Sequence, residues 1–170
     1  MCRRSQRSSE TIRQVSEAAL TIYRRSEGYY LVVSAQTTTG LWRHVAEPPV
    51  LLREACEPAD LGSEALDRLA EPRPITPHPG RDEWTEARRR SLGPILSSAK
   101  VRSWKAFITT ATLVDVGRTD DTFKVTPMNA MPKPQGAFEP DIHRVQMLQA
   151  PSAESLGRAI VQAFAAGADS

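Results

Sequence analysis

The chain has 170 residues, of which 40% are hydrophobic and 25% are charged, and its formal net charge is +2. These values are typical of one folded domain with one core, and the longest uncharged stretches fall far short of the roughly 18 residues that suggest a membrane span. The only cysteines, Cys2 and Cys56, form no CxxC pair. The sequence therefore predicts neither a disulfide framework nor a zinc site, and it favours a reducing, cytoplasmic location.

In the first half of the chain, strand-like segments precede a helix-like one. We expect residues 1–17 to form a flexible leader, with residues 10–17 as a short helix or a loop. β-Branched and aromatic residues on both sides of Gly28 predict a hairpin. Pro58 opens the next apolar pattern, as is typical of the first turn of a helix. In chain order, the predicted strands are 20–25, 29–35, 41–45 and 50–52, and the predicted helix is 58–70.

The second half repeats this order of features, which predicts a duplicated unit. Its predicted strands are 112–116, 123–127, 136–140 and 145–148, and its predicted helix is 152–164. The two halves can be aligned with offsets between 93 and 96 residues. The matched residues are Leu20 with Leu113, Tyr30 with Phe123, Gly40 with Gly136, and Leu61-Gly62 with Leu156-Gly157.

Apolar residues in both of these helices recur with the 3.6-residue period of an amphipathic helix. They are Leu61, Ala65, Leu66 and Leu69 in the first helix, and Leu156, Ala159, Ile160, Ala163 and Phe164 in the last. Each helix should therefore cover a sheet. The sequence predicts an α/β (α+β) fold, in which a mainly antiparallel sheet with packed helices is built from a duplicated β-β-β-α unit.

A proline-rich segment separates the two halves. Residues 71–80 contain four prolines, which predicts a stiff, extended connector. We expect one domain over residues 18–170, with a first half over 18–71 and a second half over 81–166. Residues 82–90 predict a short helix that is acidic at its start and basic at its end, as the helix dipole favours.

No sequence pattern for catalysis, cofactor binding or metal binding occurs in the chain. It contains no P-loop, no GxGxxG and no GxSxG motif. His44, His78 and His143 stand far apart in the sequence, and we expect each to be a surface or loop histidine. Cys56 precedes a helix, which could lower its pKa, although a bystander thiol is favoured. We therefore expect no catalytic residue, no cofactor and no metal, and a protein that is not an enzyme.

One group of charged residues remains, on the helix predicted at 58–70. Asp60, Glu64, Asp67 and Glu71 follow helical spacing and form an acidic stripe opposite the apolar face. The stripe is either a solvated helix face or a docking strip for a basic protein, because complementary charge accelerates association and selects partners.

The three tryptophans are candidates for core or interface positions. We expect Trp104 to lie in the core. Trp42 and Trp84 could lie in the core, which is favoured, or at an interface, because tryptophan is enriched at binding hot spots.

Several short segments occur in a recognisable order along the chain. The second half contains Val101-Arg-Ser-Trp-Lys-Ala-Phe107, Val114-Asp-Val116, Val125-Thr-Pro127, Gly136-Ala-Phe-Glu-Pro140 and Leu156-Gly157. The first half adds Gly28-Tyr-Tyr-Leu-Val, Gly40-Leu-Trp, Glu47-Pro-Pro-Val and Leu61-Gly62. Over roughly residues 18–166, this pattern resembles a family of bacterial immunity proteins from contact-dependent growth inhibition (CDI) systems.

The resemblance implies a cytoplasmic protein that binds the C-terminal toxin domain of a large secreted or surface protein and blocks it by occlusion. Such toxin domains are often nucleases, frequently acting on tRNA, and a nuclease needs a positively charged surface for phosphates, which an acidic stripe would complement. The resemblance transfers no functional residues, and it implies neither a membrane nor a nucleic acid as a direct partner.

The alternative function is that of a nucleic-acid-binding accessory protein. It would use Arg3, Arg4, Arg7 and Arg13 together with Arg88, Arg89 and Arg90. This alternative predicts salt-dependent retention on bulk RNA or DNA.

Overall fold

The computed structural model describes residues 17–131 and 137–168. The predicted leader lies outside these residues except for Glu17, and so does Gly136. The strands are β1 Glu17–Arg25, β2 Gly28–Gln36, β3 Trp42–His44, β4 Val50–Arg53, β5 Thr112–Thr119, β6 Thr122–Ala130, β7 Phe138–Pro140 and β8 Gln146–Gln149. The helices are α1 Pro58–Ala70, α2 Trp84–Ser98, α3 Trp104–Ile108 and α4 Ala153–Ala168.

Within the described residues, the eight strands form one antiparallel sheet with β1 and β5 at its centre. The strand order is β3-β2-β1-β5-β6-β7, with β4 also paired to β2 and β8 also paired to β6. The four helices pack on this sheet, so the predicted α+β class with a mainly antiparallel sheet is confirmed.

Each half of the sheet contains three strand positions, because the short strands share one edge. β4 pairs with the start of β2 and β3 pairs with its end, so together they form one interrupted edge strand. β8 and β7 pair with β6 in the same way. The interruptions also match: the backbone N–H of Val45 donates to Val33 O at 3.0 Å, and that of Asp141 donates to Pro127 O at 2.9 Å. The duplicated β-β-β-α unit is therefore present in atomic detail.

The strand register corrects the predicted alignment of the two hairpins by one residue. The first hairpin turns between Arg25 and Gly28, and the second turns between Thr119 and Thr122, 94 residues later. Leu20 therefore corresponds to Val114 and Tyr29 corresponds to Phe123, and all four side chains lie in one core cluster. The predicted matches of Leu20 with Leu113 and of Tyr30 with Phe123 are wrong, because a shift of one residue moves a side chain to the opposite sheet face.

α1 and α4 cover one face of the sheet, as the apolar periodicity predicted. Leu61 and Ala65 of α1, and Leu156 and Ile160 of α4, are at most 1% exposed. They pack with Leu20, Ile22, Leu31, Val114, Val116 and Val125 from the sheet. Because fully burying one such side chain contributes roughly 1.5–3 kcal/mol, this layer supplies much of the folding free energy.

α2 and α3 cover part of the opposite face. Phe107 of α3 is fully buried and makes edge contacts with Tyr23 and Tyr30, with ring centroids 5.2 Å and 5.5 Å apart. Ile95 of α2 is also fully buried in this second cluster. The cluster closes over one end of the face and leaves the other end open.

α2 is longer than the helix predicted at 82–90, since it continues through Pro94 to Ser98. A proline inside a helix removes one hydrogen bond and crowds the preceding turn. Here the burial of Ile95, with Leu92 and Leu96 packed around it, holds the helix against the sheet beyond that point. The arginines 88–90 therefore lie in the middle of α2, and the predicted basic end of the helix is wrong.

The proline-rich connector, residues 71–80, contains no helix and runs beside the end of β2. Thr76 forms a parallel bridge with Thr37. The backbone N–H of Thr76 donates to Gln36 O at 2.9 Å, and the N–H of Thr38 donates to Thr76 O at 2.9 Å. These bonds place the following residues, including His78, next to β3 and α2.

Candidate functional site

The acidic stripe predicted from the sequence lies on α1, on the side away from the sheet. Asp60, Asp67 and Glu71 are exposed, and Glu64 is half-buried. Asp60, Glu64 and Asp67 belong to the helix itself, while Glu71 caps its C-terminus. The structure therefore brings the four predicted residues together on one surface.

Two arginines offset part of the negative charge of this stripe. Arg68 Nε lies 2.8 Å from Glu64 Oε1, and its Nη1 lies 3.2 Å from Glu71 Oε1. Arg73 also contacts Glu71, and it binds Glu47 at 2.8 Å. Exposed ion pairs of this kind contribute little to stability, but they neutralise charge locally. Asp60 and Asp67 take no part in these ion pairs, so they contribute most of the negative charge of the stripe that the two arginines leave unbalanced.

The open end of the second sheet face carries polar side chains. Thr21, Ser34, Asp115, Lys124 and Thr126 line a hollow there, which we call the open sheet face. Thr21 Oγ1 donates to Asp115 Oδ1 at 2.8 Å. Burial raises the pKa of Asp115, and the hydrogen bond from Thr21 partly opposes this effect. The face therefore combines a partly buried carboxyl group with an exposed ammonium group one strand away.

His44, on β3, connects the open sheet face to its surroundings. Its Nε2 lies 2.9 Å from Tyr23 Oη, and its Nδ1 lies 3.1 Å from Ser34 Oγ. Burial lowers the pKa of His44 to about 4, so the imidazole is neutral at pH 7. The prediction of a surface histidine is wrong here, because pairing with β2 carries the ring over the sheet, whereas His78 and His143 are exposed as predicted.

The His44 arrangement does not resemble a nucleophilic site. Ser34 is only 5% exposed, and the group on the far side of the imidazole is the phenol of Tyr23 where a catalytic triad has a carboxylate. Its hydrogen bonds instead fix the position of β3 on the sheet and orient the neighbouring side chains.

A cleft next to His44 lies between β3 and α2, with a volume of about 520 Å³. The side chains that define this tryptophan–arginine cleft are Arg43, Trp84, Arg88, Leu92 and Trp104. The Arg43 guanidinium stands over the Trp84 ring, 5.5 Å from its centroid, and Trp104 stacks on Phe107 at 5.2 Å. His44 lines both the cleft and the open sheet face, so the two hollows adjoin at this side chain, and we call them together the concave surface.

The tryptophans occupy this concave surface. Trp104, for which a core position was predicted, is half-buried: it packs against the second core cluster and also lines the cleft. Trp84 is 38% exposed, so the favoured core position is wrong for this residue. Trp42 is half-buried and lines the open sheet face. All three tryptophans of the chain therefore border one surface, which no local sequence pattern indicated.

The three consecutive arginines of α2 point in different directions. Arg88 lines the tryptophan–arginine cleft. Arg89 pairs with Glu86 at 2.9 Å and is not a cleft residue. Arg90 lies 3.8 Å from Glu86 and borders a neighbouring hollow. The run therefore does not form the single basic stripe that nucleic-acid binding favours, and Arg3, Arg4, Arg7 and Arg13 lie outside the described residues.

The remaining sequence candidates show no additional site. Burial, followed by the nearby Asp60 carboxylate, raises the pKa of Cys56, as expected of a bystander thiol rather than a reactive one. Over residues 17–131 and 137–168, no group of three His, Cys, Asp or Glu side chains is placed to hold a metal ion. None of the helices in these two ranges is long and apolar enough to cross a membrane.

The fold is shared with two solved structures. A protein of unknown function from Neisseria meningitidis matches with a TM-score of 0.73 at 14% identity, covering 92% of this chain and 98% of that one. A chain of the CdiA-CT/CdiI toxin and immunity complex from Yersinia pseudotuberculosis matches with a TM-score of 0.66 at 12% identity, covering 89% of this chain and 98% of that one. At identities this low, the two structural similarities establish a common fold and nothing more. The sequence has no significant match among curated proteins.

The family is established by the sequence itself. The profile of the CDI immunity protein family, CdiI, matches residues 19–167, which span the duplicated sheet and its helices. The chain belongs to the CDI immunity protein family. The resemblance predicted from short segments is thereby confirmed.

Proposed function

We propose that this protein is a cytoplasmic immunity protein that binds the C-terminal toxin domain of a CDI system one to one and blocks it by occlusion, without catalysing a reaction. The observation that carries this proposal is the family match over residues 19–167. The structural similarity to a chain from a toxin and immunity complex in Yersinia pseudotuberculosis supports it.

We also propose that the toxin domain is a nuclease, with tRNA as its substrate. A nuclease must present a positively charged surface to bind phosphates. Asp60 and Asp67, exposed on α1 and outside the arginine ion pairs, offer the complementary charge. Complementary charge of this kind acts mainly on the association rate and on partner choice.

The proposal is tested with the C-terminal domain of the large protein that we expect the reading frame upstream of this gene to encode, expressed in bacteria with and without this protein. We expect the domain alone to stop growth. Co-expression of this protein should restore growth to the rate of cells that lack the toxin. Expression of the Yersinia immunity protein in its place should give no rescue, because the residues at the interface differ from one toxin and immunity pair to the next. A toxic domain that this protein neither rescues nor binds would contradict the proposed function.

The acidic stripe gives a separate kinetic prediction. The double substitution Asp60→Lys and Asp67→Lys should slow association with the toxin domain by roughly tenfold at low salt, and by much less at high salt. The rates can be measured by biolayer interferometry between 20 and 500 mM salt, on the order of the range over which screening acts. Glu154→Lys, an exposed position on α4, is the control and should leave the rate nearly unchanged. Equal association rates at low salt would show that the stripe does not steer association with the toxin domain.

A further inference from the structure

We propose that the tryptophan–arginine cleft, which adjoins the open sheet face at His44, holds an acidic segment of the toxin domain. This inference rests on the proposed function and adds to it the surface and the chemistry of the bound segment. It concerns the side of the sheet opposite α1, because α1 packs in the first core cluster and α2 packs in the second.

The charge of the cleft selects an anionic partner. Arg43 and Arg88 both line it, and none of the described residues that line it carries a carboxylate. Among the described residues, neither arginine lies within salt-bridge distance of an acidic side chain. Besides its contact with the Trp84 ring, the Arg43 guanidinium makes one long side-chain hydrogen bond within the described part of the chain, 3.4 Å from Nη2 to Ser91 Oγ. The planar donors of two such guanidinium groups suit carboxylates, which they can bind in a bidentate manner.

The aromatic walls of the cleft provide the apolar part of the recognition. Trp84, Trp104 and Leu92 all line it. Trp84 is held in place from two sides, by Arg43 and by an edge contact with His78 whose ring centroid is 5.2 Å away. Arginine and tryptophan are the residues most enriched at binding hot spots, and a preorganised aromatic side chain loses little entropy on binding. The cleft therefore fits a loop that presents an acidic side chain next to an apolar one.

A protein segment fits the cleft better than a nucleic acid. Arg89 pairs with Glu86, and Arg90 borders a different hollow from Arg88, so the three basic side chains of α2 do not follow a line that could track a phosphate backbone. RNA binding is accordingly an outcome of the experiment and not the proposal.

The test measures affinity between full-length variants and the toxin domain encoded upstream, inactivated by substitution of its own catalytic residue. Arg88→Glu and Trp84→Ala should each weaken binding by at least about tenfold, mainly through faster dissociation. Arg89→Glu is the matched control, since it reverses the adjacent charge on the same helix at a residue that does not line the cleft. It should change the Kd less than about twofold. The urea unfolding midpoint of every variant confirms that it is folded.

The outcomes separate the surface from the function. Unchanged toxin binding by both cleft variants, with rescue by the wild-type protein intact, would overturn the proposed surface and leave the proposed function standing. Loss of bulk tRNA binding in Arg88→Glu with unchanged toxin binding would also overturn it, in favour of RNA at this cleft. If the wild-type protein neither binds nor rescues, the proposed function fails and the proposed surface fails with it.

Discussion

Replacing either Gly62 or Gly157 by alanine should destabilise the fold by roughly 1–3 kcal/mol or more, although alanine normally stabilises a helix relative to glycine. A Cβ atom at Gly62 would lie 1.8 Å from the carbonyl oxygen of Ala153, and one at Gly157 would lie 1.7 Å from that of Pro58. Both obstacles are backbone atoms of the facing helix, so no side-chain rotation can relieve the overlap. α1 and α4 would have to separate over the core.

The control for this prediction is Gly93→Ala on α2. A Cβ at that position meets no atom within 4 Å, so the substitution should be neutral or stabilising by up to about 1 kcal/mol. Urea unfolding at pH 7 gives the free energies, and each kcal/mol should lower the Tm by roughly 2–4 °C in a domain of this size. Equal stability of the three variants would show that the contact between α1 and α4 is looser than the structure indicates.

The same two glycines show which parts of the fold the sequence could predict. The Leu61-Gly62 and Leu156-Gly157 pairs align the two helices correctly, because in each helix a buried leucine precedes a glycine where the backbones meet. Apolar periodicity of 3.6 residues identified the buried faces of both helices for the same physical reason. Apolar periodicity and a Leu-Gly pair both lie within one helix, so they can be recognised in a single sequence.

Register and helix length depend on contacts that are distant in the sequence. The hairpins were misaligned by one residue because Tyr29 and Tyr30 are both buried, on opposite faces of β2, so hydrophobicity alone cannot select the partner of Phe123. α2 was predicted too short because a proline usually ends a helix, whereas Ile95 gains enough contacts in the second core cluster to extend it.

The two candidate surfaces also differ in whether their residues are close together in the sequence. The acidic stripe lies on one helix, so the spacing of its residues was sufficient to find it. The concave surface brings together Trp42, Trp84 and Trp104 from β3, α2 and α3, and its polar part includes Asp115 from β5. No sequence window contains these residues together. The one available signal was the scarcity of tryptophan, which marks each as a position worth examining.

Acidification should destabilise the protein through His44, by up to about 3 kcal/mol between pH 6.5 and pH 4. Burial lowers the pKa of His44 from 6.5 to about 4 in the folded state. Above pH 6.5 the imidazole is neutral in both states, and its contribution to stability is fully present. As the pH falls, the unfolded chain binds a proton that the folded chain excludes until the pH approaches 4, so the free energy of unfolding decreases over this window.

The substitution His44→Gln isolates this effect, because it removes the titrating group while keeping a polar side chain near Tyr23 and Ser34. Urea unfolding at several pH values should show a smaller loss of stability on acidification for His44→Gln than for the wild-type protein. His143→Gln, at an exposed position, should keep the wild-type dependence. Asp115 acts in the opposite direction, since its raised pKa favours the folded state on protonation. Because both proteins contain Asp115, its contribution cancels in the difference between their free energies of unfolding. An identical pH dependence of the two proteins would mean that the His44 ring is hydrated and free to accept a proton in the folded protein.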